Sequence, residues 1–156
     1  PNSPETYGTA IMGIPVGSDI YTTLWLDNKL ADFSLVAHRI KNFPDSQMRW
    51  TMAYSSLKHR ATHIYRGLPL RLVRPFKQDV NGLLRDIFAS ICAYSPEELA
   101  LYVSDDSEYP LRHQLEAPIP LAGFDLLCSD ARADAAHVGA ICSSYSETIS
   151  HFSRDG

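Results

Sequence analysis

The chain has 156 residues, 45% of them hydrophobic and 21% charged, with a formal net charge of −4. That length suits one domain with a sizeable core, and the composition is that of an ordinary globular protein, not a fibrous or low-complexity one. No apolar run approaches the ~20 residues that cross a bilayer, so no membrane partner is expected. The opening PNSPETYGTA lacks the basic and apolar regions of a secretory signal, and an intracellular location, nucleus or cytoplasm, is the expectation. Cys92, Cys128 and Cys142 form no C-x-x-C pair and read as small buried hydrophobes in a reducing compartment.

In chain order, residues 1–17 read as an irregular start followed by a short β element. AIMGIPVGS is β-prone and punctuated by Gly13, Pro15 and Gly17, the pattern of a hairpin arm ending at Ser18. Residues 18–156 read as a helical domain. Ser18 is an N-cap with Asp19 at the positive end of the helix dipole, and Leu26, Leu30, Phe33, Ala37 and Ile40 make one stripe at steps of three and four. Pro44 should stop that helix near Asn42. Asp45 caps a second helix carrying Met48, Met52 and Leu57. A third, short one around Arg60 to Arg66 ends at Gly67, with Pro69 just beyond.

Pro75 suits the first turn of a fourth helix, whose stripe is Phe76, Val80, Leu83, Leu84, Ile87, Phe88 and Ile91. Ser95, Pro96 and Glu98 spell a capping box with proline at the first helical position. A last helix is expected from Ser129 to about Phe152, with Ala133, Ala136, Ala140, Ile141, Tyr145 and Ile149 facing inward. The fold class is therefore mostly α, a helical bundle with a short N-terminal β element.

Charge is unevenly spread. Between Arg39 and Arg85 lie ten of the fourteen Lys/Arg residues and two acids, a local net of +8, leaving −12 for the rest. Such a block points to a polyanionic partner, against the alternative that the two charge classes attract each other within the fold. LYVSDDSEY invites a different reading, since polymerases that copy RNA hold Mg2+ on two aspartates that follow a tyrosine and one spacer. Here Val103 and Ser104 make two spacers, and a capped helix leads in where a strand is needed. Asp105 and Asp106 read as a solvated helix end, and no catalytic residue, cofactor or metal is assigned to this chain.

Other stretches nevertheless resemble a polymerase family. IMGIPVGSD is similar to the strand pair beyond the catalytic aspartates of non-LTR retrotransposon reverse transcriptases, where an LG-I/V-P-I/L-G segment grips the primer end. NFPDSQMRWTMAYSSLKHRATHIYRGLPL resembles the LPD-x-Q helix and arginine-containing segment that follow, with Pro44, Asp45, Gln47, Arg60, His63, Arg66 and Pro69 in the matching places. PFKQDVNGLLRDIF matches a further helix through Asp79. LEAPIPLAGFDL resembles the LP-x-x-x-GGLGL turn before an alanine-rich helix, with Ala122 for the first glycine and Phe124-Asp125 for Leu-Gly.

The resemblance runs over about residues 11 to 150 and implies the thumb and C-terminal region of a reverse transcriptase, without the finger and palm domains. In that reading Mg2+ belongs to the missing palm, and the parent protein is an RNA-directed DNA polymerase. Gly13, Ile14, Pro15 and Gly17 take the primer-grip-like place.

The nucleic-acid-binding residues expected are Arg60, His63, Arg66, Arg71, Arg74 and Lys77, holding the phosphates of an RNA–DNA or DNA duplex. His59, His63 and Arg66 recur at i, i+4 and i+7 on one face, while Arg71, Arg74 and Lys77 are expected in the loop and next helix start. Tyr65 reads as a buried ring, with stacking on a base the alternative. His59 and His63 have metal-helix spacing, but no third ligand completes a set. A helical protein–protein or homo-oligomerisation module is the competing function, and a hydrolase using histidine and aspartate the weakest.

Overall fold

A computed structural model of the protein describes residues 7–103, 111–121 and 123–152. Its architecture is the mostly α-helical one expected, with a two-stranded antiparallel sheet at the front. Strands β1 (Gly8–Ile11) and β2 (Ile14–Gly17) pair with Ile11 opposite Ile14, which leaves Met12 and Gly13 as the whole loop. Both have positive φ, 50° and 80°, the geometry of a type I′ hairpin turn. Glycine adopts this freely, whereas methionine carries a Cβ strain of about 1 kcal/mol.

Ser18 accepts from the Tyr21 amide at 3.1 Å and starts α1 (Asp19–Lys41), which ends at Asn42 as expected. Asp45 Oδ1 accepts from the Met48 amide at 2.7 Å to start α2 (Ser46–Met52). The expected break between the second and third helices does not occur. A π-helical segment, Ala53–Lys58, carries α2 directly into α3 (His59–Gly67). This segment has Ala53 and Leu57 buried, and no Gly or Pro interrupts it.

The fourth helix also starts earlier than Pro75. Pro69, in extended conformation, is the N-cap of α4 (Leu70–Cys92), and Pro75 lies inside the helix. The fold tolerates the missing N–H one turn into α4 because the Val73, Phe76 and Val80 face is buried and outweighs one absent backbone bond. Ser95 and Glu98 make the reciprocal capping box of α5 (Pro96–Val103), at 2.8 and 3.2 Å. Asp105 and Asp106 lie outside the described residues. A short α6 (Leu111–Glu116) and a 3-10 turn, Ile119–Leu121, follow; neither was expected, since six residues are too few to show a helical period. Helix α7 (Asp130–Phe152) closes the chain.

The core lies where α4 packs along α1 and α3 packs against α7, around Phe33, Leu57, Tyr65, Val73, Val80, Leu84 and Ile87. Its α1 and α4 stripes are those read from the sequence. Helix α7 departs from expectation. Ala133 is buried, but Ile141 and Tyr145 are 56% and 67% exposed, while the contact that the His137 ring makes with the Arg66 carbonyl lies nearer the start of the helix; the Ile149 side chain lies outside the described residues. The cysteines differ too: Cys92 and Cys142 are exposed and Cys128 is half-buried. Among the described residues no helix is long and apolar enough to cross a membrane.

Candidate nucleic-acid interface

Helix α3 presents two faces. Ala61, Ile64 and Tyr65 are buried, and that side is fixed against the core. His59, Arg60, His63 and Arg66 are exposed on the other. The face ends where Gly67 meets Ile14 of the hairpin. A Cβ on Gly67 would stand 2.6 Å from the Ile14 side chain, so glycine is what lets the hairpin seat on the end of α3. At the hairpin tip His63 Nε2 lies 3.1 Å from the Met12 carbonyl. Two stretches singled out separately, the primer-grip-like Gly13–Gly17 segment and the basic helix, therefore meet.

Between them and α1 runs a groove of about 410 Å³. Its rim is Lys29, His59, Arg60 and His63, and Trp25 and Phe33 are among the residues beneath; no carboxylate lines it. The Arg60 guanidinium carbon is 5.4 Å from the Phe33 ring centroid, and Lys29 Nζ is 5.3 Å from that of Trp25. These are cation–π distances, which hold each head over an apolar floor while leaving its donors outward. Lys29 also faces Asp32 at 3.4 Å in an exposed pair. Neither Lys29 nor Trp25 was among the residues expected from the sequence to bind. The signal was there in the steps of four from Trp25 through Lys29 to Phe33.

The six expected phosphate-contacting residues divide by the partners they have within the fold. Arg60, His63 and Arg66 share the outer face of α3, and among the described residues no carboxylate lies within ion-pair distance of Arg60 or Arg66. Arg71, Arg74 and Lys77 lie in α4 itself, not in a loop, and each is engaged. Arg71 makes a two-pronged contact with Asp19 at 2.6 and 3.3 Å. Arg74 is 3.3 Å from Asp130. Lys77 is 5% exposed, 2.5 Å from Asp130, and donates to the Cys128 carbonyl at 3.2 Å. Acids from α1 and α7 thus neutralise the start of α4.

Asp125 organises a second charged cluster. Lys58 and Arg132 both pair with its carboxylate, and the Tyr54 hydroxyl donates to it at 3.1 Å. Burial opposes the charged form, but the Lys58 hydrogen bond and charge, with Arg132 and Tyr54, outweigh it and hold the carboxyl below the usual range. Asp125 has φ 51°, the left-handed region where the resembled turn carries glycine. Aspartate is among the few residues that enter it readily, and its three partners fix it there. Ala122 lies outside the described residues. Tyr65 is 2% exposed, so the buried-ring reading holds in this fold.

No protein-family model, curated protein or solved structure matches the chain. The resemblance to non-LTR reverse transcriptases rests on the motifs quoted above.

Proposed function

We propose that the chain is a nucleic-acid-binding module that holds the backbone of a template–primer duplex, in the manner of a reverse transcriptase thumb, and that it performs no catalysis of its own. The single observation that carries this reading is the groove between hairpin tip, α1 and α3. Cations and imidazoles rim it, aromatic rings floor it, and no acid lines it. Arg60, Arg66 and Lys29 supply phosphate contacts, His63 holds the hairpin tip in place, and Trp25 offers a face to a sugar or base. Arg71, Arg74 and Lys77 belong to the fold's own ion pairs and are left out of the contact set. The partner is an RNA–DNA or DNA duplex, with finger and palm domains as the protein partners and Mg2+ confined to the latter.

The test is the salt dependence of duplex affinity. Three phosphate contacts give a slope of log K against log salt of about −2.7 on B-form duplex. A slope near zero in a fluorescence-anisotropy titration would overturn the reading.

A helical interaction module is the second reading, and one observation favours it. Val138, Ile141 and Tyr145 are 56%, 56% and 67% exposed, at spacings of three and four along α7. It expects a concentration-dependent mass in light scattering and no binding of a duplex probe.

A further inference from the structure

The groove between the hairpin tip, α1 and α3 has a rim and a floor, and a duplex backbone uses only the first. In a paired strand the phosphates face outward and the bases turn in toward their partners. A duplex laid across the groove therefore meets the rim cations and presents nothing flat to what lies beneath. Within the floor, Phe33 and Ile64 are 1% and 4% exposed and out of reach of any ligand. What stays open is the half-buried Trp25 indole.

The rim has two banks. Lys29 stands on α1 and Arg60 on α3, so a strand that crosses the groove finds a cation before it and another after it. Arg60 has no carboxylate within ion-pair distance among the described residues, and its guanidinium carbon lies 5.4 Å from the Phe33 ring centroid. The Lys29 ammonium lies 5.3 Å from the Trp25 ring centroid, and its contact with Asp32 is an exposed one at 3.4 Å, of the kind that holds a side chain weakly. Phosphates held on both banks leave one nucleotide over the space between them, which measures about 410 Å³. A flat, π-faced group that hangs from the backbone at that point would cover the indole, and a base turned out of the helix is such a group. Every base has a π-face, so stacking on Trp25 is tolerant of sequence.

We propose that the groove takes a bulged nucleotide, a base left unpaired within a duplex, and stacks it on Trp25 while Lys29 and Arg60 hold the phosphates on either side. On binding, the Lys29 ammonium moves from the ring to a phosphate and the base takes its place. A paired base would first have to be unpaired and unstacked, at a cost that a bulged one has already met. The inference rests on the duplex-holding reading and narrows it: the preferred ligand is an interrupted duplex, not a continuous one.

The test compares a fully paired DNA duplex with the same duplex carrying an extra, unpaired nucleotide at its middle, using the full chain at matched salt. Fluorescence anisotropy reads affinity. Emission from Trp25 reads stacking, with Trp50→Phe making it the sole tryptophan; phenylalanine keeps a ring against Phe88 and Phe124. The bulged duplex should bind at least about fivefold tighter than the paired one. It should quench Trp25 saturably with the same midpoint, while the paired duplex leaves the emission unchanged. Trp25→Ala should bring the ratio of the two affinities to about one, and Trp25→Tyr, which keeps a ring, should restore most of it.

Equal affinity for the two duplexes with Trp25 unquenched would overturn the inference and leave the duplex reading standing. A preference for the bulge that survives Trp25→Ala would overturn it too, since it would come from the bend that a bulge puts in the helix. Should Trp25→Ala fold poorly, the emission reading decides alone, because it leaves Trp25 in place. Failure of both duplexes to bind would remove the duplex reading, and the inference with it.

Discussion

The outer face of α3 and the first turns of α4 come from one acid-free stretch of sequence, Lys58 to Gln78, yet the fold treats them oppositely. On α3, Arg60 and Arg66 have no carboxylate partner among the described residues. On α4, Arg71, Arg74 and Lys77 are matched by Asp19 and Asp130. The acids that do this lie some fifty residues away in sequence on either side, at the starts of α1 and α7. A run of like charge in sequence is therefore not a surface of like charge. Which cations remain available to a partner depends on which helix N-termini the fold brings alongside, because those termini carry the acids.

The strongest way to break this contrast is paired charge reversal. Arg60→Glu with Arg66→Glu should weaken duplex binding at least about tenfold and reduce the salt slope by about 2, with no change in sequence preference. Arg71→Glu with Arg74→Glu should move affinity by less than about twofold, since those heads already neutralise carboxylates and are not released to phosphate. Equal losses from the two pairs, measured by anisotropy at matched salt, would mean that the α4 cations reach the duplex in spite of their partners.

A stability measurement should give the reverse order. Lys77→Ala removes a buried ammonium from Asp130 and from the Cys128 carbonyl, and leaves its aliphatic stem's volume unfilled. The expected loss is about 2 kcal/mol, below that of a fully buried pair because Asp130 keeps contact with water. Arg66→Ala, on the exposed face, should stay within about 0.5 kcal/mol of the parent. Urea unfolding at neutral pH reads both. A costly Arg66→Ala beside a neutral Lys77→Ala would invert the division of labour between the two helices.

Much of this fold was legible locally, and what was missed has a common cause. The hairpin, the Ser18 and Asp45 caps, the Ser95–Glu98 box and the apolar stripes of α1 and α4 depend on contacts within a few residues, and all were readable. The continuity of α2 into α3 was not, because a π segment has no residue signature of its own. The α4 start was misplaced because proline's preference for a first turn is a weak rule beside the burial of Val73 and Phe76. Ile141 and Tyr145 fit an inward stripe on periodicity alone, but periodicity does not say where the neighbouring helices end. The charge partners were the least legible part. Asp19 reaching Arg71 and Asp125 reaching Lys58 span 52 and 67 residues, and nothing in the intervening sequence marks them.

The smallest expected effect isolates one such partner. Asp19→Asn leaves a polar residue in the first turn of α1 and frees the Arg71 guanidinium without altering it. Duplex affinity should then rise roughly twofold, with the salt slope steeper by up to about 1 if Arg71 gains a phosphate contact. The direction in pH follows from the same pair. The hydrogen bond from Arg71 holds the Asp19 carboxyl below its ordinary value, against an opposing effect of burial and with the Arg71 charge adding to it. A lowered folded pKa means the pair's contribution is in place above the unfolded value, ~3.9, and is lost as pH falls through the folded one. From pH 5 to 7 the carboxylate is ionised and paired, so the affinity gap between Asp19→Asn and the parent should be constant across that range. A gap that narrows between pH 7 and 5 would break the link between the Asp19–Arg71 pair and duplex affinity, and would tie Asp19 to the fold alone.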